Sequence, residues 1–196
     1  HHDPRVGQIL MEALEQRKNA DREAYLETLR ALNTAIEQGK ALYVGISSYS
    51  SRQTLEAVRI CQENSWAPLI INQPNYSMLN RWIEDSLIDT CGELGLGIIA
   101  FCPLYQGLLT DKYLNGIPTG SRASLPGSPL RPEEVAEQVV NGIRALNDHA
   151  QERGQTLAQM ALSWVLRHPG VTSALIGASR PEQIRDNIQA VENTDS

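Results

Sequence analysis

From Val171 to Asn187 the chain reads VTSALIGASRPEQIRDN, a short apolar strand that meets a glycine and runs straight into the start of a helix. Such a junction gathers free backbone N–H groups and the positive end of a helix dipole at one point. That arrangement suits a phosphate, and Gly177 gives a ligand room to approach the main chain. Ser179 with Glu182 three residues later reads as a capping box, and Pro181 suits the first helical turn. The same letters also describe the ordinary strand-to-helix turn from which every parallel α/β protein is built.

Three earlier stretches repeat the layout. LYVGISSYSSRQTLEAV (42–58) is a strand, a pair of serines and a helix start. IINQPNYS (70–77) is a strand that ends in amides, and GIIAFCPLYQGLLTDKYLNGIPTGSRASLPG (97–127) is a strand that opens into a long loop rich in Gly and Pro. Each strand ends in polar or aromatic groups at its carboxyl end, where parallel α/β folds place their sites. Four such ends in a row imply one shared site.

The elements that must hold these ends in place follow from periodicity. Strands are expected at Leu42–Ile46, Leu69–Asn72, Gly97–Phe101 and Ser173–Ile176. Helices are expected at Val6–Lys18 and Asp21–Gln38, the second with Tyr25, Leu26, Leu29, Leu32 and Ile36 along one stripe. Ser51–Glu63, Arg81–Leu94, Pro132–Arg153 and Thr156–Arg167 supply further helices, and a last one begins near Arg180. Strand and helix alternate through one domain, as a parallel sheet requires. The helical stretch at 4–20 has no evident place in that alternation.

Composition narrows the classes. With 17 basic against 23 acidic residues the net charge is −6, and without clustered Lys and Arg nucleic acid is excluded as a partner. No apolar run approaches the roughly 18 residues of a membrane span and no signal peptide is visible, so the expected place is the cytoplasm. Cys61, Cys91 and Cys102 are odd in number and widely spaced, which reads as reduced thiols with no metal site. His149 and His168 fit helix positions better than catalysis, and Glu133 with Glu134 reads as the acidic first turn of a helix. Trp66, Trp82 and Trp164 read as packing residues. Tyr49 and Tyr76 lie near strand ends, but no lysine that would serve either as a partner in proton donation is identifiable.

Taken together, VGIS, NQPNYS, QGLL with KYLNGIP, SRASL, TLAQMALSW and LIGAS with EQIRDN occur in an order and spacing that resembles the aldo-keto reductases, from about Arg22 to Val191. The resemblance implies a (β/α)₈ TIM barrel with NADPH lying extended across its carboxyl-terminal mouth. It assigns Ser47, Ser48 and Gln73 to the nicotinamide carboxamide and Phe101 to the nicotinamide face. Cys102, Leu104 and Gln106 fall beneath the pyrophosphate, and Lys112 and Arg122 on the loop that folds over the cofactor. Gly177, Ser179, Arg180, Gln183, Asp186 and Asn187 match the adenosine and 2′-phosphate site. Ser48, Cys102, Tyr105 and Asp186 depart conservatively from the commoner pattern.

The family's proton-donating tyrosine, with its lysine and aspartate, belongs to the first half of the barrel and is absent from these 196 residues. The opening HHDP would place His1 at the family's active-site histidine, although a tag remnant gives the same letters. Four strands amount to the C-terminal half of the barrel, or an incomplete one. The expected partners are a small carbonyl substrate and, to cover the open sheet, a second copy or the missing N-terminal half-barrel. Two functions stay open: the cofactor-binding half of an NADPH-dependent carbonyl reductase, or a catalytically inactive nucleotide-binding or assembly module.

Overall fold

The computed structural model describes residues 4–192, with side chains described from residue 21 onward. Its centre is a four-stranded parallel sheet of β1 (Val44–Ser47), β2 (Leu69–Gln73), β3 (Gly97–Phe101) and β4 (Val171–Leu175), side by side in chain order. Helices α1 (Pro4–Glu37), α2 (Ser51–Glu63), α3 (Leu87–Leu94), α4 (Glu137–Glu152), α5 (Leu157–Leu166) and α6 (Pro181–Ile188) connect and flank the strands. The alternation of elements implies this parallel sheet, and the resemblance implies that it is part of a barrel.

Register explains which side of the sheet the helices cover. Ile46 pairs with Asn72, Asn72 with Ile98, and Ile98 with Val171, and all four residues of this row are buried. Their neighbours Gly45, Ile71 and Ile99 point the other way and are only half-buried. The buried row belongs to a core that includes Ala57, Ile60, Leu87, Cys91 and Val165 from the helices. A second core, built on Leu108, Leu109, Tyr113, Ile143, Leu157 and Ala161, gathers the long segment after β3 against α4 and α5.

Gly45 sits inside β1, where the two strands come too close for any larger residue. A Cβ added there would overlap the Ile71 side chain and lie 2.9 Å from the Ile71 carbonyl oxygen. Gly45→Ala should therefore cost about 1 to 3 kcal/mol through overpacking, read as a lower midpoint in urea with an unchanged slope.

Several elements differ from their expected form. The two N-terminal helices are one continuous α1, about 50 Å long, because the sequence between Lys18 and Asp21 contains no Gly or Pro to break it. The stretch 4–20 therefore belongs to this helix. The helix expected at 81–94 splits into a single 3₁₀ turn (Trp82–Asp85) and α3, and the one at 132–153 splits at Ala136, whose extended backbone separates another 3₁₀ turn from α4. β1 begins two residues late, leaving Leu42 and Tyr43 exposed, and β4 occupies 171–175 instead of 173–176.

One side-chain knot ties the segment after β2 to the end of α5. The hydroxyl of fully buried Tyr76 donates to Glu84 at 2.6 Å, and Arg167 donates to Tyr76 Oη at 3.0 Å and to Glu84 at 3.1 Å. Arg81 adds two bonds to the other Glu84 oxygen, at 2.9 and 2.7 Å. Trp164 lies beneath both guanidinium groups, 3.7 Å from Arg167 and 5.2 Å from Arg81. Burial acts most strongly on Glu84 and would raise its pKa, but the bonds from Arg81, Tyr76 and Arg167 outweigh it and hold the carboxyl at about 2. Burial and the bond to Glu84 push the Tyr76 phenol up to about 12.

Candidate functional site

The carboxyl ends of all four strands open into one cleft of about 1480 Å³. At β1 the Ser47 hydroxyl donates to the Gln73 carbonyl at 2.8 Å, and the Ser48 N–H reaches the same oxygen at 3.1 Å. The two strand ends are thereby locked together. The Ser47 oxygen keeps lone pairs for an incoming donor, and the Gln73 side-chain amide makes no hydrogen bond among the described residues. Behind them, buried Asn72 donates to the Tyr49 carbonyl at 2.9 Å and to Thr54 Oγ1 at 3.1 Å, which fixes the loop into α2.

β3 delivers Phe101 and then turns sharply. Phe101 is bracketed by main-chain bonds to Pro74 O (2.9 Å) and from Tyr76 N (3.2 Å). Cys102, Tyr105 and Gln106 all hold positive φ angles, of 54°, 44° and 58°. For residues with a side chain this region costs roughly 1 to 2 kcal/mol each. The turn is held by the Gln106 amide, which donates to Cys102 Sγ at 3.2 Å and accepts from Arg122 at 2.7 Å. Arg122 is thus tethered over the turn from the far end of the loop. Lys112, just after the Thr110 hydroxyl that caps its N–H at 3.2 Å, makes no ion pair among the described residues.

At β4 the chain passes through Gly177 into α6. A Cβ added at Gly177 would meet nothing within 4 Å, so the space there is open to a ligand. The expected capping box between Ser179 and Glu182 does not form. Instead the Gln183 side-chain oxygen accepts from Ser179 N (2.8 Å), Ser179 Oγ (3.2 Å) and Arg180 N (3.3 Å), because Arg180 is the N-cap and Gln183 the residue three beyond it. Two of the N–H groups expected to meet an anion are therefore already engaged. The exposed Arg180 side chain makes no ion pair among the described residues.

Of the residues singled out in the sequence, Ser47, Gln73, Phe101, Cys102, Leu104, Gln106, Lys112, Arg122, Gly177, Ser179, Arg180, Gln183, Asp186 and Asn187 all line this cleft. Ser48 does not. Its φ of 59° turns it out of line with β1, and only its N–H is used. His1 lies outside the described residues. Tyr76 is committed to Glu84 and fully buried, and no tyrosine lines the cleft among the described residues. Sequence reasoning missed Thr110, Asn147, Gln151 and Thr156, which also line it. Polar residues on one face of α4 carry no signal that separates them from an ordinary solvated helix.

Comparison with known proteins follows the same line. Residues 4–195 match the Aldo/keto reductase family. L-glyceraldehyde 3-phosphate reductase of Escherichia coli (strain K12) is 54% identical over 172 residues, which are 85% of this chain and 49% of that protein. A putative voltage-gated potassium channel subunit beta of Schizosaccharomyces pombe is 36% identical over 175 residues, 86% of this chain and 50% of its own length. Among solved structures, a thermostable aldo-keto reductase crystallised with the inhibitor epalrestat matches with a TM-score of 0.65 at 26% identity, covering 88% of this chain and 51% of that one. The chain spans about half the length of the curated relatives it matches.

Proposed function

Because the chain belongs to the aldo/keto reductase family, we propose that it carries the cofactor-binding half of a carbonyl reductase whose cleft takes NADPH. The observation that supports this most is the convergence of four strand ends on a single cleft that contains nearly every residue the family pattern points to. Its volume exceeds the range of about 300 to 1,000 Å³ usual for a single small ligand, as an extended dinucleotide would need. When bound, the cofactor supplies the hydride for a substrate carbonyl. Gln73 and Ser47 would orient the carboxamide, and Phe101 would form a wall against the ring. Lys112, Arg122 and Arg180 would neutralise the phosphates.

The Gln106 to Arg122 bond has a part in this reading. It holds a cation at the cleft before any phosphate arrives, which lowers the ordering cost of binding. The remaining strands of a closed barrel would come from a second copy or from an N-terminal half. A second reading, a binding module without catalysis, draws on the absence of a cleft tyrosine among the described residues.

Titrating the chain with NADPH and with NADH, followed by nucleotide fluorescence, tests the assignment. NADPH should bind at least about tenfold more tightly, since its extra phosphate adds charge-assisted hydrogen bonds. Equal affinities, or no saturable binding of either, would count against it. Because the catalytic tyrosine of the family belongs to the other half of the barrel, an aldehyde-dependent NADPH consumption assay separates the two readings when the sample is supplemented with the N-terminal half-barrel of a relative. Turnover supports the reductase, and tight binding without turnover supports the module.

A further inference from the structure

Two Asn-Gly pairs occur in the chain, Asn115 with Gly116 and Asn141 with Gly142, and the fold treats them differently. The first lies on the loop between β3 and α4, just past the 3₁₀ turn Asp111–Tyr113, and both of its residues are exposed. The Asn115 side chain makes no hydrogen bond among the described residues. Gly116 holds a φ of 109°, which residues with a side chain rarely adopt, and a Cβ added there would meet nothing within 4 Å. The second pair lies inside α4, where the Gly142 N–H belongs to the helical ladder and Asn141 Oδ1 accepts from Arg144 at 2.7 Å.

An asparagine followed by glycine carries a leaving group next to a nucleophile. The Gly116 nitrogen can attack Cγ of Asn115, forming a C–N bond while the side-chain nitrogen departs as ammonia and takes the Gly116 proton with it. Water then opens the resulting succinimide at either carbonyl. The product is aspartate or, with the main chain rerouted through the side chain, isoaspartate. Nothing is oxidised or reduced, and solvent water is the sole co-reactant. Glycine favours the closure because no Cβ shields its nitrogen. One bond opposes it, from the Gly116 N–H to the Tyr113 carbonyl at 3.2 Å in an exposed loop, whereas closure at Asn141 requires α4 to open.

We propose that Asn115 is a deamidation site whose conversion weakens the hold of the cleft on anionic ligands. The loop is positioned for that effect. Lys112 and Leu114, which precede Asn115, line the cleft, and Arg144 fixes the Leu114 carbonyl on α4 through bonds of 2.6 and 3.1 Å. A new carboxylate so close in the chain to Lys112 lowers the positive potential that this side chain brings to the cleft, where it makes no ion pair among the described residues. An isoaspartyl link also adds a methylene to the main chain next to the anchored Leu114, so the segment that carries Lys112 must shift. The effect on binding rests on the cofactor reading above, and the modification itself does not.

Ageing the whole chain at mildly alkaline pH and digesting it with trypsin gives the peptides Tyr113–Arg122 and Ala123–Arg144, one for each pair. Mass spectrometry reads the replacement of NH by O in each, and chromatography separates the isomers. In the folded chain the first peptide should convert at least about tenfold faster than the second, and in urea the two rates should converge, because a helix protects only as far as it stays closed. Equal rates in the folded chain, or conversion of Asn115 only after unfolding, would overturn the proposal. Titration with NADPH then reads the consequence. Asn115→Asp and the aged chain should both bind about two- to fivefold more weakly than fresh chain, the scale of one exposed charge. Aged Asn115→Gln, which keeps an amide but must close a larger ring, should bind as it does when fresh. Converted chain that binds NADPH as tightly as fresh chain would also overturn the proposal. If fresh chain binds no NADPH, the cofactor reading and the effect on binding fail together, and the peptide rates still decide the modification.

Discussion

Glu84→Ala should destabilise the fold by about 2 to 4 kcal/mol, which for a chain of this size lowers the melting temperature by on the order of 10 °C. The carboxylate is the common acceptor for Arg81, Arg167 and Tyr76, and its loss strands a fully buried phenol and two guanidinium groups stacked on Trp164. Partial exposure of the Glu84 and Arg167 side chains, 22% and 25%, keeps the cost below that of a fully buried ion pair. Glu84→Gln, which keeps an acceptor and loses the charge, should cost about half as much. Calorimetric scanning of the three proteins measures both. Equal melting temperatures would show that the knot contributes nothing.

The same knot sets a pH dependence at each extreme. Glu84 has its pKa lowered from 4.5 to about 2, so its contribution is present above pH 4.5 and lost as pH falls through that value toward 2. Tyr76 has its pKa raised from 10.0 to about 12, so its contribution is present below pH 10 and lost as pH rises from there toward 12. In Tyr76→Phe the alkaline loss should shrink, and urea midpoints measured at pH 9 and pH 11 would reveal it.

Arg180→Ala should weaken NADPH binding by about 1 to 3 kcal/mol, or roughly 5- to 150-fold, and leave NADH within about threefold. Arg180 is exposed at the start of α6 and makes no ion pair among the described residues, so its charge is available to an incoming anion. The engagement of the Ser179 and Arg180 N–H groups by Gln183 increases the reliance on this side chain, since the backbone offers less than a bare helix terminus would. Raising the salt concentration should narrow the gap between unchanged protein and variant, because the interaction is between exposed charges. Equal effects on both nucleotides would move the 2′-phosphate away from Arg180.

The strands were legible because each is a short apolar run bounded by turn residues, and β3 and α2 fall at the residues where periodicity puts them. The break at Ala136 was not legible, since nothing in EEVAEQVV signals one extended residue between two helical turns. At α6 the spacing rule was sound but its origin was one residue off, and Gln183 took the role expected of Glu182. The strand ends marked where the cleft lies, and the resemblance to the aldo-keto reductases supplied most of its individual residues. The wall from α4 could not be read, because it is long-range packing in the second core, together with the bonds from Arg144 to the Leu114 carbonyl, that brings that helix to the site. The knot was equally hidden: Glu84 and Arg167 lie 83 residues apart, and each alone looks like an ordinary surface charge.

The sequential order of the sheet also bears on how quickly the chain can reach it. β1 meets β2, and β2 meets β3, through partners about 25 residues apart, whereas β3 meets β4 through partners about 70 apart. Closing the longer connection costs about 1 kcal/mol more chain entropy, so the first three strands form the faster nucleus. The intervening segment, however, owns the core of Leu108, Tyr113, Ile143 and Leu157, and its collapse brings the ends of that connection nearer before β4 pairs. On this topology β4 and α6 are expected to join last, and a refolding phase seen by a probe on β4 but not by one on β1 or β2 would show it.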